Sequence, residues 1–378
     1  MRKVILFSRD PGGANVIIPL VNPLREKGYI VKLFGKDYAL TKYKQVELDG
    51  INIDNYLEDV TVVSLTKFLQ KEMPDIIITG TSANDFTEKY LWKAAEKLKI
   101  PSFAILDQWM SYGIRFSEFN LSQIDKYNVE HMHCYFPTKI LVMDEYAKEM
   151  MVEDGIEISR VKVVGQPYFN YLFDKAQSIN KQEILDYKMS INCFDDDIIV
   201  TFATEAISQT YNEDSKALES IGYTDKTILY EVYQCIKSIS FNYNKKIKLI
   251  IRLHPKDESS TYIDFLSRIE DKDIEVTIDK DTDTLLIISA SDIICGMSSM
   301  FLIEATILGK PIISAQIGLK GQNPFVFNQN GLMAPILTHN ELYTALSNLI
   351  VNKSYCKYCL EFNRDAIKKI IKLVEDFI

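Results

Sequence analysis

Short uninterrupted apolar runs alternate along the chain with longer stretches in which apolar positions recur every three or four residues. The runs predict strands at Lys3–Ser8, Ile30–Phe34, Asp75–Thr79, Ser102–Leu106, Lys139–Met143 and Val161–Val164. Most are continuous rather than alternating, the pattern of parallel strands covered on both faces. The intervening stretches predict helices. Leu91, Ala94, Ala95 and Leu98 form one apolar stripe behind the polar starts Asp85 and Thr87. Strand and helix in this rhythm build a doubly wound sheet.

The rhythm pauses after Gly165-Gln166-Pro167, and a polar, helix-forming stretch runs from Asp174 to about Asp197. It then restarts with Ile198–Ala203, Lys248–Leu253, Glu275–Ile278, Asp292–Cys295 and Pro311–Ala315, with a helix from Ser298 to Leu308 between the last two. The boundary is placed near residue 175. It separates an N-terminal Rossmann-like domain, 1–175, from a C-terminal one, 176–378. The latter ends in a long helix, about Tyr355 to Ile378, with Ile367, Ile370, Ile371 and Val374 on one stripe. Two α/β halves make a central cleft the default ligand site, and within each half ligands favour the carboxyl ends of strands.

The length of 378 residues suits two such domains. With 47% hydrophobic and 25% charged residues, disordered, collagenous and coiled-coil classes are excluded. A net charge of −9 argues against nucleic acid as a partner and against strong attraction to anionic lipid. No run of 18 apolar residues marks a membrane span, and Val4–Phe7 is too short for a secretory leader. Six scattered cysteines suit a reducing cytoplasm. Cys356-Lys-Tyr-Cys359 has redox or zinc spacing, but it has no second pair and lies in a helical pattern.

Several clusters carry candidate chemistry. The first strand runs into Asp10-Pro-Gly12-Gly13-Ala-Asn15 and a helix at Val16–Arg25. Two glycines permit close backbone approach, and the helix terminus offers free N–H groups. The spacing matches neither a dinucleotide fingerprint nor a P-loop, so a plain tight turn stays open beside a binding role. Asp107, Trp109, Tyr112 and Arg115 follow the strand Ser102–Leu106, an acid, two aromatics and a cation suited to holding a sugar. A simple amphipathic cover over the core is the alternative. Arg252-Leu-His254-Pro255-Lys256 ends a buried strand with a histidine flanked by cations. The turn Gly296-Met-Ser298-Ser299 opens a helix carrying Glu304; this combination suits a phosphate cradle and a ribose contact, or plain capping and an ion pair. Thr204 and Glu205 close the first strand of the second half. His131 and His133 fall on one face of a strand without an apparent third ligand, and Asp281-Thr-Asp283 reads as the acidic start of a helix at Thr284–Ser289, so no metal is expected.

Together, Arg252-Leu-His254-Pro255, Ser298-Ser299, Glu304-Ala305, Gly309-Lys-Pro311 and the junction turn Gly165-Gln166-Pro167 resemble the GT-B superfamily of nucleotide-sugar glycosyltransferases. The His-Pro and Ser-Ser pair is similar to bacterial sialyltransferases, Kdo and capsule transferases and CDP-glycerol transferases. The resemblance implies two Rossmann-like domains, an N-terminal acceptor domain and a C-terminal donor domain. It implies metal-independent, cofactor-free transfer from a CMP- or CDP-linked donor to a glycan or lipid-linked acceptor at the cytoplasmic membrane face. His254, Ser298 and Ser299 would contact phosphate, with Arg252, Pro255, Lys256, Gly296, Thr204 and Glu205 around them and Glu304 on the ribose. Asp10 or Asp107 would be the base. Gly12, Gly13, Asn15, Trp109, Tyr112 and Arg115 would hold the acceptor, and Gln166 and Pro167 would form the hinge. UDP-GlcNAc 2-epimerases share the fold and junction turn, but their His-Arg-x-Glu-Asn motif reads His254-Pro-Lys-Asp-Glu258 here. A non-catalytic nucleotide-binding protein is the third reading.

Overall fold

The computed structural model describes residues 2–194, 196–207, 221–255, 257–267, 274–353 and 364–378. Lys256 and the Cys356/Cys359 pair lie outside the described residues, as does the expected start of the last helix. The chain divides into two compact units, Met1–Tyr171 with Phe362–Ile378, and Leu172–Glu361.

The first unit holds seven strands: β1 (Lys3–Ser8), β2 (Ile30–Gly35), β3 (Ile51–Asn52), β4 (Ile76–Thr79), β5 (Ser102–Ile105), β6 (Lys139–Val142) and β7 (Val161–Val163). They are all parallel, in the order β3-β2-β1-β4-β5-β6-β7. The central strands β4 and β5 are buried at every position, because helices cover both faces. The chain reverses its direction of sheet growth between β1 and β4, the place where open α/β sheets leave a crevice. The helix Pro11–Glu26 leaves β1 directly, with Pro11 at its first position. Gly12 and Gly13 therefore belong to its first turn and not to a loop ahead of it.

The terminal helix, Ala366–Phe377, was expected with the second half. It packs in the first unit instead: Ile370, Ile371 and Val374 join the core formed by Ala14, Ile17 and Val21 of the first helix. Its amphipathic stripe needs an apolar partner, and that helix face supplies one.

The second unit holds β8 (Ile198–Ala203), β9 (Ile247–Arg252), β10 (Glu275–Asp279), β11 (Ile293–Gly296) and β12 (Ile312–Ser314), parallel in the order β10-β9-β8-β11-β12. Its reversal lies between β8 and β11. The polar stretch expected before β8 forms two helices, Pro167–Ser178 and Lys181–Ser190, the first of which crosses the unit boundary. No described helix is long and apolar enough to cross a membrane.

Candidate functional site

Each unit carries its chemistry on the loops that leave the carboxyl ends of the strands beside its reversal point. In the second unit these are the loops after β8, β9 and β11. After β11, Gly296 ends the strand and Ser299 caps the helix Met300–Ile307, its Oγ accepting from Phe301 N at 3.0 Å. Ser299 thus acts as the cap of this helix. Ser298 has a different role. Its hydroxyl donates to Glu205 Oε2 at 2.7 Å, and its amide donates to Glu205 Oε1. Met297 N donates to the same oxygen at 3.1 Å. Three donors at the foot of a helix thus converge on one carboxylate, as they would on a phosphate.

Glu205 is held there by its own backbone. Asp225, the first residue of the helix Asp225–Tyr243, accepts Glu205 N at 2.6 Å and Ile207 N at 2.7 Å. Burial pushes the Glu205 carboxyl up to about 7, against the Ser298 donors that favour its charged form. Glu304 is buried on the helix behind.

The loop after β9 is tied to the same strand end. Thr204 is buried; its hydroxyl accepts His254 N at 2.7 Å and donates to Asp257. Asp257 also accepts His254 N at 3.3 Å. The histidine backbone is therefore fixed by two residues, with Pro255 exposed beyond it. Arg252 does not reach toward the turn as a free cation. Its Nη1 sits 2.5 Å from Asp279 Oδ1, because β9 and β10 pair these residues side by side.

In the first unit the loops after β1, β4 and β5 meet. Asp107 follows β5, and its Oδ1 accepts Arg115 Nη1 at 2.9 Å. Its Oδ2 lies against the first helix so closely that a Cβ at Gly12 would stand 1.9 Å from it. Only glycine fits at that point. Arg115 is 2% exposed and closes the Asp107–Phe116 loop on itself, donating to Met110 O, Ser111 O and Thr81 as well. It is a clamp rather than an open sugar ligand. Trp109 is likewise committed, with Nε1 on Asp144 Oδ2 at 2.7 Å and its ring stacked on Phe169. Tyr112 keeps a buried hydroxyl without a hydrogen-bond partner among the described residues. Asp10 caps no amide and pairs with Arg9 at 2.8 Å, while Asn15 lies half-buried in the first helix. Gln166 donates to Asp107 O at 2.9 Å, and Pro167 starts the following helix.

Sequence reasoning missed Glu88. It lies on the helix Thr87–Leu98, 1% exposed, with Oε2 accepting Ser82 N and Oε1 lacking a partner among the described residues. Gly80 and Gly13 flank that free oxygen: a Cβ on Gly80 would come within 3.1 Å of it. Burial, then the negative charge of Asp10, holds the Glu88 carboxyl well above the usual carboxylate range. Burial also raises Asp107, with Arg115 opposing. The signal for Glu88 was weak, since an acid in the first turn of a helix ordinarily faces solvent. Asp225, the first residue of its helix, escaped notice for the same reason.

No family model and no curated protein matches the chain. Among solved structures it is similar to the UDP-GlcNAc 2-epimerase of Methanocaldococcus jannaschii, with a TM-score of 0.68 and 17% identity over 99% of both chains. It is similar to the Neisseria meningitidis UDP-GlcNAc 2-epimerase bound to UDP-GlcNAc, with a TM-score of 0.66 and 16% identity over 99% of both. It is also similar to Anabaena Alr3699/HepE in complex with UDP-glucose, with a TM-score of 0.64 and 13% identity over the whole of both chains. These likenesses correct the expected family: they lead to UDP-GlcNAc 2-epimerases and not to the sialyl, Kdo or CDP-glycerol transferases. The reading of a transferase with a CMP- or CDP-linked donor falls with them. At such identities the likeness is one of fold, and the fold is that of the GT-B proteins.

Proposed function

We propose that this chain binds a UDP-sugar and acts on the sugar as an isomerase, in the manner of a UDP-N-acetylhexosamine 2-epimerase. The observation that carries the proposal is the convergence of Met297 N, Ser298 N and Ser298 Oγ on one anionic position at the foot of the helix Met300–Ile307. That is a seat for one phosphate of a diphosphate, and Glu205 now holds it. Structures of similar fold that carry UDP-GlcNAc or UDP-glucose support uridine as the base. Buried Glu304 suits a ribose contact.

Inverting a carbon that bears a C–H bond needs groups that take a proton and return one. The first unit contains two carboxyls whose affinity for protons is raised, Glu88 and Asp107. Glu88 keeps a buried Oε1 without a hydrogen-bond partner among the described residues, beside Gly13 and Gly80. We assign the proton-transfer roles to these two. Arg115 holds Asp107 in place, and Thr204 with Asp257 positions His254.

The test is turnover without an acceptor. Protein incubated with UDP-GlcNAc alone, followed by proton NMR, is expected to accumulate the C2 epimer. UDP and UDP-GlcNAc should raise the melting temperature while CMP does not; ligand at 100 times its dissociation constant adds about 2.7 kcal/mol. Absence of any response to UDP overturns the nucleotide assignment. Binding without epimer formation, with UDP released only when an acceptor sugar is added, overturns the isomerase.

A further inference from the structure

We propose that His131, His133 and Asp154 form a binding site for one divalent transition-metal ion, for which zinc is the probe. The sequence placed the two histidines together and found no third ligand. The fold supplies it. Asp154 ends the helix Glu145–Glu153, and among the described residues these three bring their ligand atoms within 4.8 Å of one another.

The chain reaches this arrangement through specific local geometry. His131 is not on a strand: it closes the helix Ile124–Glu130 in the left-handed region, φ 48, its amide on Tyr127 O at 2.7 Å. Two residues on, His133 returns to the same place, so that the two rings stand 5.4 Å apart. Cys134 N and Tyr135 N donate to Phe116 O and fix the segment. Gly155, φ 84, turns the chain directly after Asp154.

The donor spacing is that of adjacent ligands around one ion. His131 Nε2 lies 3.1 Å from Asp154 Oδ1, and Tyr127 OH lies 2.9 Å from His133 Nε2 and 3.0 Å from Asp154 Oδ1. Bonds of about 2.0–2.2 Å to nitrogen and oxygen place neighbouring ligand atoms at roughly such separations. The carboxylate is also oriented from behind. Gly113 N donates to Asp154 Oδ2 at 2.5 Å, while Oδ1, which accepts from Tyr127 OH, faces His131. Gly113 has to be glycine, since a Cβ there would stand 2.0 Å from Tyr127 OH and 2.5 Å from both His133 Nε2 and Asp154 Oδ2. The His131 side chain is 46% exposed, which gives an ion and its water ligands a way in.

Two imidazoles and one carboxylate suit zinc, cobalt, nickel or ferrous iron, and not calcium or magnesium, which take oxygen ligands. The bound ion would link the ends of two helices, and through Gly113 it would brace the loop that carries Asp107 and Arg115. The site is built from residues of the first unit alone and shares none with the proposed nucleotide cradle, so its existence does not depend on the identity of the substrate.

The experiment uses full-length protein without a histidine tag, stripped with chelator, then titrated with zinc by calorimetry and with cobalt by visible spectroscopy. One zinc per chain is expected, together with a rise in melting temperature. His131→Ala and His133→Ala should each weaken binding by about 100-fold or more, and Tyr127→Phe by about 10-fold. His131, being half exposed, tolerates replacement, and circular dichroism checks the fold. His339→Ala and the Cys356→Ser/Cys359→Ser pair should bind as the wild type does, with cobalt bands free of thiolate charge transfer. Failure of zinc and cobalt to bind overturns the proposal. So does wild-type affinity in His131→Ala, or a thiolate band that disappears with the cysteines.

Discussion

The carboxylate of Glu205 occupies the place where the helix after β11 would receive an anion: Ser298 Oγ stands 2.7 Å from its Oε2. The two residues come from different loops, after β8 and after β11, on either side of the reversal in the second sheet. A carboxylate carries the same charge sense as a phosphate and accepts from the same amides. In the proposed function the pair is a closed form of the cradle, in which an internal anion substitutes for the ligand.

Under the proposed function, UDP binding depends on the charge of Glu205. Its carboxyl titrates near 7, so above that pH it is a competing anion and below it a neutral group. Wild-type affinity for UDP, relative to Glu205→Gln, is expected to fall as pH rises from 6 to 8, by several-fold. The glutamine variant lacks that component, which separates it from the titration of the nucleotide itself. Stability follows the same sign. A raised carboxyl pKa contributes stability below the unfolded value and loses it as pH rises through the folded one. Between 4.5 and about 7 the loss amounts to about 3 kcal/mol at 1.36 kcal/mol per unit. Denaturant titrations at pH 5 and pH 8 should show wild type losing more than Glu205→Gln. Equal losses would remove Glu205 from the cradle argument.

Arg115 and Asp107 form a pair with side chains 3% and 11% exposed. Removing one partner leaves the other charge without its counterion in a desolvated place. Arg115→Met is expected to destabilise the protein by about 3–5 kcal/mol. Arg115→Lys should recover less than half of this, because a point charge cannot reach Asp107, Thr81 and the Met110 and Ser111 carbonyls together. Denaturant midpoints decide it, and full recovery by lysine would show that charge alone matters here.

How much of this was legible in the sequence depends on the range of each interaction. Strands such as Lys3–Ser8 and Ile198–Ala203 coincide with their apolar runs, since burial on both faces writes itself into composition. β3 has two residues and leaves no pattern. That a hydroxyl would cap the helix after β11 was visible; that Ser299 caps it while Ser298 turns to Glu205 was not, because the choice depends on a loop 93 residues away. The pairing of Arg252 with Asp279 needs the register of β9 and β10, and Asp154 joins the histidines only through a fold contact 23 residues from His131. Glu88 sits one residue from a predicted helix start, where an acid ordinarily meets water; the close approach of Gly13 and Gly80 is what buries it.

Gly12→Ala tests that kind of approach directly. The new methyl would stand 1.9 Å from Asp107 Oδ2, so either the carboxylate or the helix must move. Overpacking of this kind costs about 1–3 kcal/mol. The double variant Gly12→Ala/Asp107→Ser should cost less than the sum of the two single changes, since the shorter side chain vacates the space. Strict additivity in a double-mutant cycle would place the two residues out of contact in solution.

Glu88→Gln separates stability from chemistry. Burial and then the negative charge of Asp10 hold the carboxyl of Glu88 well above its usual range, which favours its protonated form in the folded protein. Glutamine has the same shape and the charge of the protonated carboxyl, and its amide oxygen can still accept Ser82 N. At a pH low enough to protonate the carboxyl in both states, the variant should therefore match wild type in denaturant midpoint. As pH rises above the unfolded-state value, wild type must either ionise a buried group or hold a proton that the unfolded chain releases, and it loses stability; the glutamine variant does not. The sign is that of any group whose folded pKa is raised. Binding of UDP should be unchanged, because the proposed cradle lies on residues of the second unit. Turnover is a different matter, because an amide cannot exchange a proton in the range where a carboxyl can. Loss of a general acid or base lowers the rate by about 10²–10⁴-fold. Unchanged epimer formation in Glu88→Gln, with UDP affinity intact, would transfer the proton-transfer role to Asp107 alone.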